Sequence, residues 1–171
     1  MSEEFVTARA EMIQLLSSVK SVMLGTATSN GSPSVSYAPV YVDDSSRMYV
    51  FLSSMAKHYG LLKRSKRASV MAIEDEATAE NLFARKRATF DCSSVLIERS
   101  DPNWAKTMNL MEERLGSTLG YLKDMQDFDL FQLAPKSGRL VLGFGKAYQL
   151  SGEELGNIGF VNASGHISKP S

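Results

Sequence analysis

The chain has 171 residues, 43% of them hydrophobic and 22% charged, which suits a soluble globular protein with a sizeable core. Nineteen lysines and arginines offset nineteen aspartates and glutamates, so no global basic field draws the chain to nucleic acid. A single cysteine, Cys92, excludes an internal disulfide or a cysteine-based metal cluster; together with the charged opening MSEEFVTARAEM and the lack of a long apolar run, it points to the cytoplasm and away from a membrane.

Residues 3–20 place Phe5, Ala8, Met12, Leu15 and Leu16 at helical spacing, which predicts an N-terminal amphipathic helix. VMLGTAT (22–28) reads as a strand, Ser29-Asn30-Gly31 as a hairpin turn and SVSYAPVYV as a second strand. Pro39 cannot donate to a ladder, so it marks an edge or a bulge. DDSS turns the chain into a third strand, MYVFLS (48–53), and residues 55–66 return to helical spacing with Met55, Tyr59 and Leu62 on one side. ASVMAIED is a buried strand, ATAENLFA a short helical or irregular crossing, and RATFDCSSVLIE a long strand. Asp101 caps a further helix, with Pro102 at its first position and Trp104, Met108, Met111 and Leu115 as its apolar stripe. FDLFQLAP and GRLVLGFGKAYQL are expected to form a final hairpin turned at Pro135-Lys136-Ser137-Gly138. Ser151 and Glu154 have capping-box spacing for a last short helix. About six strands joined by hairpin-length turns predict a mainly antiparallel β fold with flanking helices, and a small closed or split barrel removes most of the strand edges. Residues 1–171 are expected to form a single domain.

Four stretches carry candidate chemistry. In NLFARKRATFD, Arg85 and Arg87 share a face of an extended segment with Lys86 opposite, and two guanidinium groups suit a phosphate or carboxylate; a solvated strand start is the plainer alternative. SSMAKHYGLLKRSKR holds a basic patch of Lys57, His58, Lys63, Arg64, Lys66 and Arg67, able to hold an anionic cofactor with Ser53 and Ser54, or simply a solvated helix end. In LVLGFGKAY, a continuous strand would put Gly143 and Gly145 on one bare face, open to a flat ligand, another backbone or a barrel corner. The closing NASGHISKPS holds His166, whose neutral imidazole can ligate iron axially, although a lone histidine near a terminus is more often surface decoration. HExxH, GxGxxG and P-loop motifs are absent, so zinc-hydrolase, dinucleotide-binding and NTPase readings have no support.

These stretches also carry a resemblance. SYAPV, AIEDEATAENLFARKRATFD, LFQLAPKSGRLVLGFGKAYQLSG and the final Gly165-His166 resemble the HugZ/HutZ haem-utilisation proteins from about residue 20 onward. That family belongs to the wider pyridoxamine-phosphate-oxidase-like, FMN-binding split-barrel superfamily. The resemblance implies a six-stranded antiparallel split β-barrel with flanking helices and a homodimer holding haem between protomers. It implies that a C-terminal arm, about 158–171, presents His166 as the axial iron ligand. A carboxylate that hydrogen-bonds the ligating imidazole would fall at Asp127, with Asp129 close by, and would fix the tautomer and strengthen donation to iron. Arg85 and Arg87 would lie near the propionates or the distal side; apart from the resemblance, the basic patch makes Lys57 and His58 candidate cofactor contacts, and the bare Gly143/Gly145 face is read as a place for the porphyrin plane. The implied reaction is oxygen-dependent opening of the porphyrin to a biliverdin-type product with iron release, driven by an external reductant. Two alternatives remain: an FMN-binding oxidoreductase, against which SVSYAPVYV offers neither arginine nor lysine, and a haem carrier or storage protein without turnover.

Overall fold

A computed structural model describes residues 2–161. Helix α1 (Glu3–Ser18) opens with Glu3 and Glu4, whose charges suit the helix dipole, and buries the predicted stripe of Phe5, Ala8, Met12, Leu15 and Leu16. Strands β1 (Ser21–Ala27) and β2 (Pro33–Pro39) form an antiparallel hairpin, with Gly31 at a φ of 85° in the turn. Then come β3 (Tyr41–Val42), β4 (Met48–Ser53), α2 (Lys57–Ser65) and β5 (Arg67–Ile73). Two 3-10 turns, Glu76–Thr78 and Leu82–Ala84, cross to β6 (Arg87–Ile97). Helix α3 (Pro102–Leu115) starts as predicted, with the Asp101 carboxylate accepting the Asn103 N–H, and α4 (Thr118–Leu122) follows. Strands β7 (Phe128–Gly143), β8 (Lys146–Ser151) and β9 (Asn157–Phe160) complete the described chain. No helix among the described residues is long and apolar enough to cross a membrane.

The strands form one antiparallel sheet in the order β2-β1-β5-β6-β7-β4-β3, with β8 added on β7 and β9 on β8. Its two ends, β2 and β3, are consecutive in the chain and separated by Val40 alone. At that corner Pro39 has no N–H to offer, Val40 N donates to Lys20 O at 2.9 Å, and the chain changes partner from β1 to β4. This passage joins the sheet's ends and curls it into a split barrel. Leu24, Val50, Val70, Phe90, Phe131, Leu133, Leu140 and Leu150 fill the interior against α1 and Leu62 of α2. A second apolar cluster lies outside, where Met108, Met111 and Leu119 of α3 and α4 cover Phe51 and Leu130.

Several expectations change. Pro135-Lys136-Ser137-Gly138 is no turn: β7 runs through it, and Asp91 pairs with Ser137 while Cys92 pairs with Pro135, leaving Lys136 extra as a β-bulge that tolerates the proline. The hairpin turns instead at Phe144-Gly145, so the expected continuous GFG strand is broken there. Ser151 and Glu154 form no capping box, because Ser151 ends β8 and the 3-10 turn Glu153–Leu155 has no side-chain cap. Nine strands are described rather than six. SVSYAPVYV divides at its corner, the hairpin divides GRLVLGFGKAYQL, and β9 takes up residues expected to begin the C-terminal arm.

Cys92 faces the interior, and burial, reinforced by Asp91, pushes its thiol up to about 12. Gly138 lies opposite Phe90, where a Cβ would stand 2.7 Å from the Phe90 ring and 2.9 Å from the Thr89 carbonyl. Gly138→Ala is therefore expected to lower stability by about 1–3 kcal/mol through overpacking, read from the urea midpoint; an unchanged midpoint would contradict this packing.

Candidate functional site

The strand register defines an outer face with a graded chemistry. Directly paired residues form a row across six strands: Tyr37, Met23, Met71, Thr89, Arg139 and Gln149. A neighbouring row carries Ile73, Arg87, Val141 and Ala147, and Val161 N donates to Ala147 O at 3.0 Å at its end. Val35 and Tyr37 on β2 are 77% and 59% exposed, although apolar or aromatic. Toward β8 the face becomes polar. A depression of about 420 Å³ is lined there by Arg87, Thr89, Asp91, Gly138, Arg139, Val141 and Gln149. Sequence reasoning found Arg87 but missed Arg139, Thr89 and Gln149.

Arg85 and Arg87 have different surroundings. Arg87 begins β6 and donates from Nη1 to the Arg85 carbonyl at 3.0 Å, while its side chain lines the depression. Arg85 precedes the strand. Its guanidinium donates to the Glu74 carbonyl and lies 3.5 Å from the Glu76 carboxylate, so it ties the β5–β6 connection together. One buried nitrogen, Arg85 Nε, has no partner among the described residues. Lys86 points the opposite way, as the alternation predicts, and donates from Nζ to Glu11 of α1 at 2.7 Å.

Gly143 and Gly145 do not share a strand face. Gly143 ends β7 opposite Lys146, and Gly145 takes a φ of 71° in the turn, where a side chain would be strained. A Cβ at either would meet open space, so close packing is not the reason for glycine.

A second group gathers where α2 begins. Lys57 is exposed, and His58 is partly buried, which pushes its imidazole below the ordinary 6.5. Ser54 N donates to Asp127 O at 2.7 Å, and Ser53 Oγ donates to Asp127 Oδ2 at 3.4 Å. Asp127 remains exposed. Asp129 is engaged instead by the Tyr59 hydroxyl, to which Lys63 Nζ donates at 3.3 Å. The loop that carries Asp127 is fastened by Arg99, which donates to the carbonyls of Lys123 at 2.7 Å, Met125, and Phe128 at 3.1 Å, and lies 4.9 Å over the Trp104 ring.

The two groups do not meet within one chain. Asp127 precedes β7 and Gly143 ends it, and sixteen residues at about 3.3 Å each make roughly 50 Å of strand before curvature. Lys57, His58 and Asp127 therefore stand at one end of β7, and Arg85, Arg87, Gly143 and Gly145 at the other. His166 lies outside the described residues. Among the described residues no cluster of three or more His, Cys, Asp and Glu could hold a metal ion. A further depression of about 620 Å³, bounded by Tyr41, Arg47, Tyr49 and Lys106, contains none of the residues singled out in the sequence.

Residues 8–142 match the family model described as pyridoxamine 5'-phosphate oxidase, which agrees with the split barrel. Haem oxygenase HutZ from Vibrio cholerae is 43% identical over 136 residues, spanning 80% of this chain and 77% of its own. A crystal structure of HutZ, described as the haem storage protein from Vibrio cholerae, superposes with a TM-score of 0.70 and 36% identity, covering 75% of this chain and 90% of that one. ChuZ from Campylobacter jejuni superposes with a TM-score of 0.84 and 29% identity over 99% of this chain and 68% of its own. The chain belongs to the HugZ/HutZ family within the pyridoxamine 5'-phosphate oxidase-like superfamily.

The His58 environment predicts a pH dependence. Its folded pKa is depressed, so its contribution is present above 6.5, where both states are neutral, and is lost as pH falls and the unfolded chain takes up the proton first. The drop in urea midpoint between about pH 7.5 and about pH 5.5 is expected to be smaller in His58→Gln than in wild type. Equal drops would show that His58 is not desolvated.

Proposed function

We propose that this protein binds haem and degrades it oxidatively, as a homodimer supplied with electrons by an external reductant. The observation that carries the reading is the 43% identity with haem oxygenase HutZ across 80% of the chain. The outer face supports it chemically. Haem is an apolar plane with two carboxylates at one edge, and this face passes from Tyr37, Met23 and Met71 to Arg87.

In this reading His166 would ligate the haem iron, and the Asp127 carboxylate would accept the imidazole's other N–H, holding the tautomer and raising its basicity. The chain leaves β9 beside Ala147, and five residues from Val161 to His166 reach at most about 17 Å. Asp127 belongs to the far end of β7, so the Asp127–His166 pair requires two protomers, and exposed Val35, beside the haem face, supplies apolar surface for the joint. Arg87 orients the ligand by donating to a propionate, Lys57 and His58 add polar contacts from the partner's side, and Arg85 fixes the loop that presents Arg87. Bound haem would supply the redox chemistry, with oxygen as oxidant and electrons from the external reductant, and the products would be a biliverdin-type tetrapyrrole, iron and the excised bridge carbon as an oxidised one-carbon fragment. Storage without turnover is the second reading, favoured by the description of the HutZ crystal structure as a haem storage protein. FMN binding has less support, because the outward residues Val35 and Tyr37 of β2 offer a flavin phosphate no cation.

Hemin titration is expected to give a sharp Soret band that His166→Ala abolishes; yellow absorbance retained by His166→Ala would favour flavin and overturn the haem reading. Ascorbate added with catalase should then bleach the band and leave a biliverdin-like spectrum, whereas a stable complex identifies storage. Mixing Asp127→Asn with His166→Ala under subunit exchange should restore about a quarter of the sites if each is shared between protomers. No recovery would mean that both residues act within one chain.

A further inference from the structure

Arg139 is unremarkable in GRLVL, where it reads as one solvated side chain on a strand. The register gives it a different setting. Arg139 pairs with Thr89 on one side and Gln149 on the other, while Arg87 is two residues from Thr89 on β6. The two arginines are thus diagonal neighbours on adjacent strands, and both line the 420 Å³ depression. Like charges at such spacing repel unless an anion lies between them. Asp91, the acidic residue of the depression, accepts the Ser137 hydroxyl at 3.3 Å and forms no ion pair with either guanidinium among the described residues.

We propose that Arg139 is a second carboxylate anchor of the ligand site, acting beside Arg87, with the Thr89 hydroxyl and the Gln149 amide as neutral partners. This rests on the haem reading and specifies how the ligand lies. Met71 is two strands from Arg139, roughly 10 Å at ordinary interstrand spacing, so one ring system can rest on Met71 and Met23 while its acid edge reaches the arginines. The face therefore selects a planar apolar molecule with carboxylates on one side. Loss of both carboxylates should weaken binding at least as much as loss of Arg139 does, because it also releases Arg87.

The test compares hemin with iron protoporphyrin dimethyl ester, which keeps the ring and iron but lacks both acids. Each is titrated into the full chain and into Arg139→Gln, an exposed substitution whose fold is checked by its melting curve. Arg139→Gln is expected to weaken hemin binding roughly tenfold and to leave ester binding unchanged. Equal hemin affinity in both proteins would overturn the anchor while leaving the haem reading intact. Equal weakening for both ligands would overturn it too, by showing a structural effect. Failure of the wild type to take up hemin at all would instead overturn the haem reading on which the anchor rests.

Discussion

Strand β7 is the member on which the other parts of the barrel are registered. Its first half pairs with β4, its second half with β8, and β6 runs along its other side throughout. A strand held this way cannot slip by one residue without turning Phe131, Leu133 and Leu140 away from the interior. The bulge at Lys136 absorbs the extra residue where the partners change. Upstream of it, the outer surface is covered by α3 and α4; downstream, it faces outward with Arg139 exposed. One sequence feature thus divides the strand into a structural half and a chemical half.

The helical parts were legible because their signals are local. The α1 stripe and the Asp101-Pro102 start are readable without knowing what they pack against. Pro39 was legible as an exception to sheet pairing, although its role in joining the two ends of the sheet depends on partners distant in sequence. Pro135-Lys136-Ser137-Gly138 misled for the same reason: its composition is that of a turn, and only pairing with Asp91 and Cys92 makes it a bulge. Gly145 carried the real turn, which the adjacent aromatic and alternating residues disguised as strand.

Candidate chemistry was legible to the extent that it lay in short contiguous patterns. Arg87 stood out in ARKR, whereas Arg139 had no local companion and is joined to Arg87 only by register. Asp127 and Asp129 are indistinguishable by spacing. The Tyr59 hydroxyl separates them by engaging Asp129, while Asp127 stays exposed on a loop held by Arg99. A carboxylate on a fastened loop, with no ion-pair partner among the described residues, is oriented while its oxygens stay open to a further donor, which suits the hydrogen-bond acceptor proposed for it.

The burial of Cys92 has a consequence for chemical wear. Ascorbate and iron in air generate peroxide, and a thiolate would be an early casualty. With its proton retained and its sulfur inside the barrel, Cys92 offers neither a nucleophile for oxidation nor a handle for intermolecular cross-linking. Among the described residues, the sulfur that solvent reaches belongs to thioethers such as Met55, 88% exposed, beside the Ser54 backbone that holds Asp127. Damage there is a methionine sulfoxide, which is enzymatically reversible, so the exposed Met55 sulfur is one whose oxidation can be repaired.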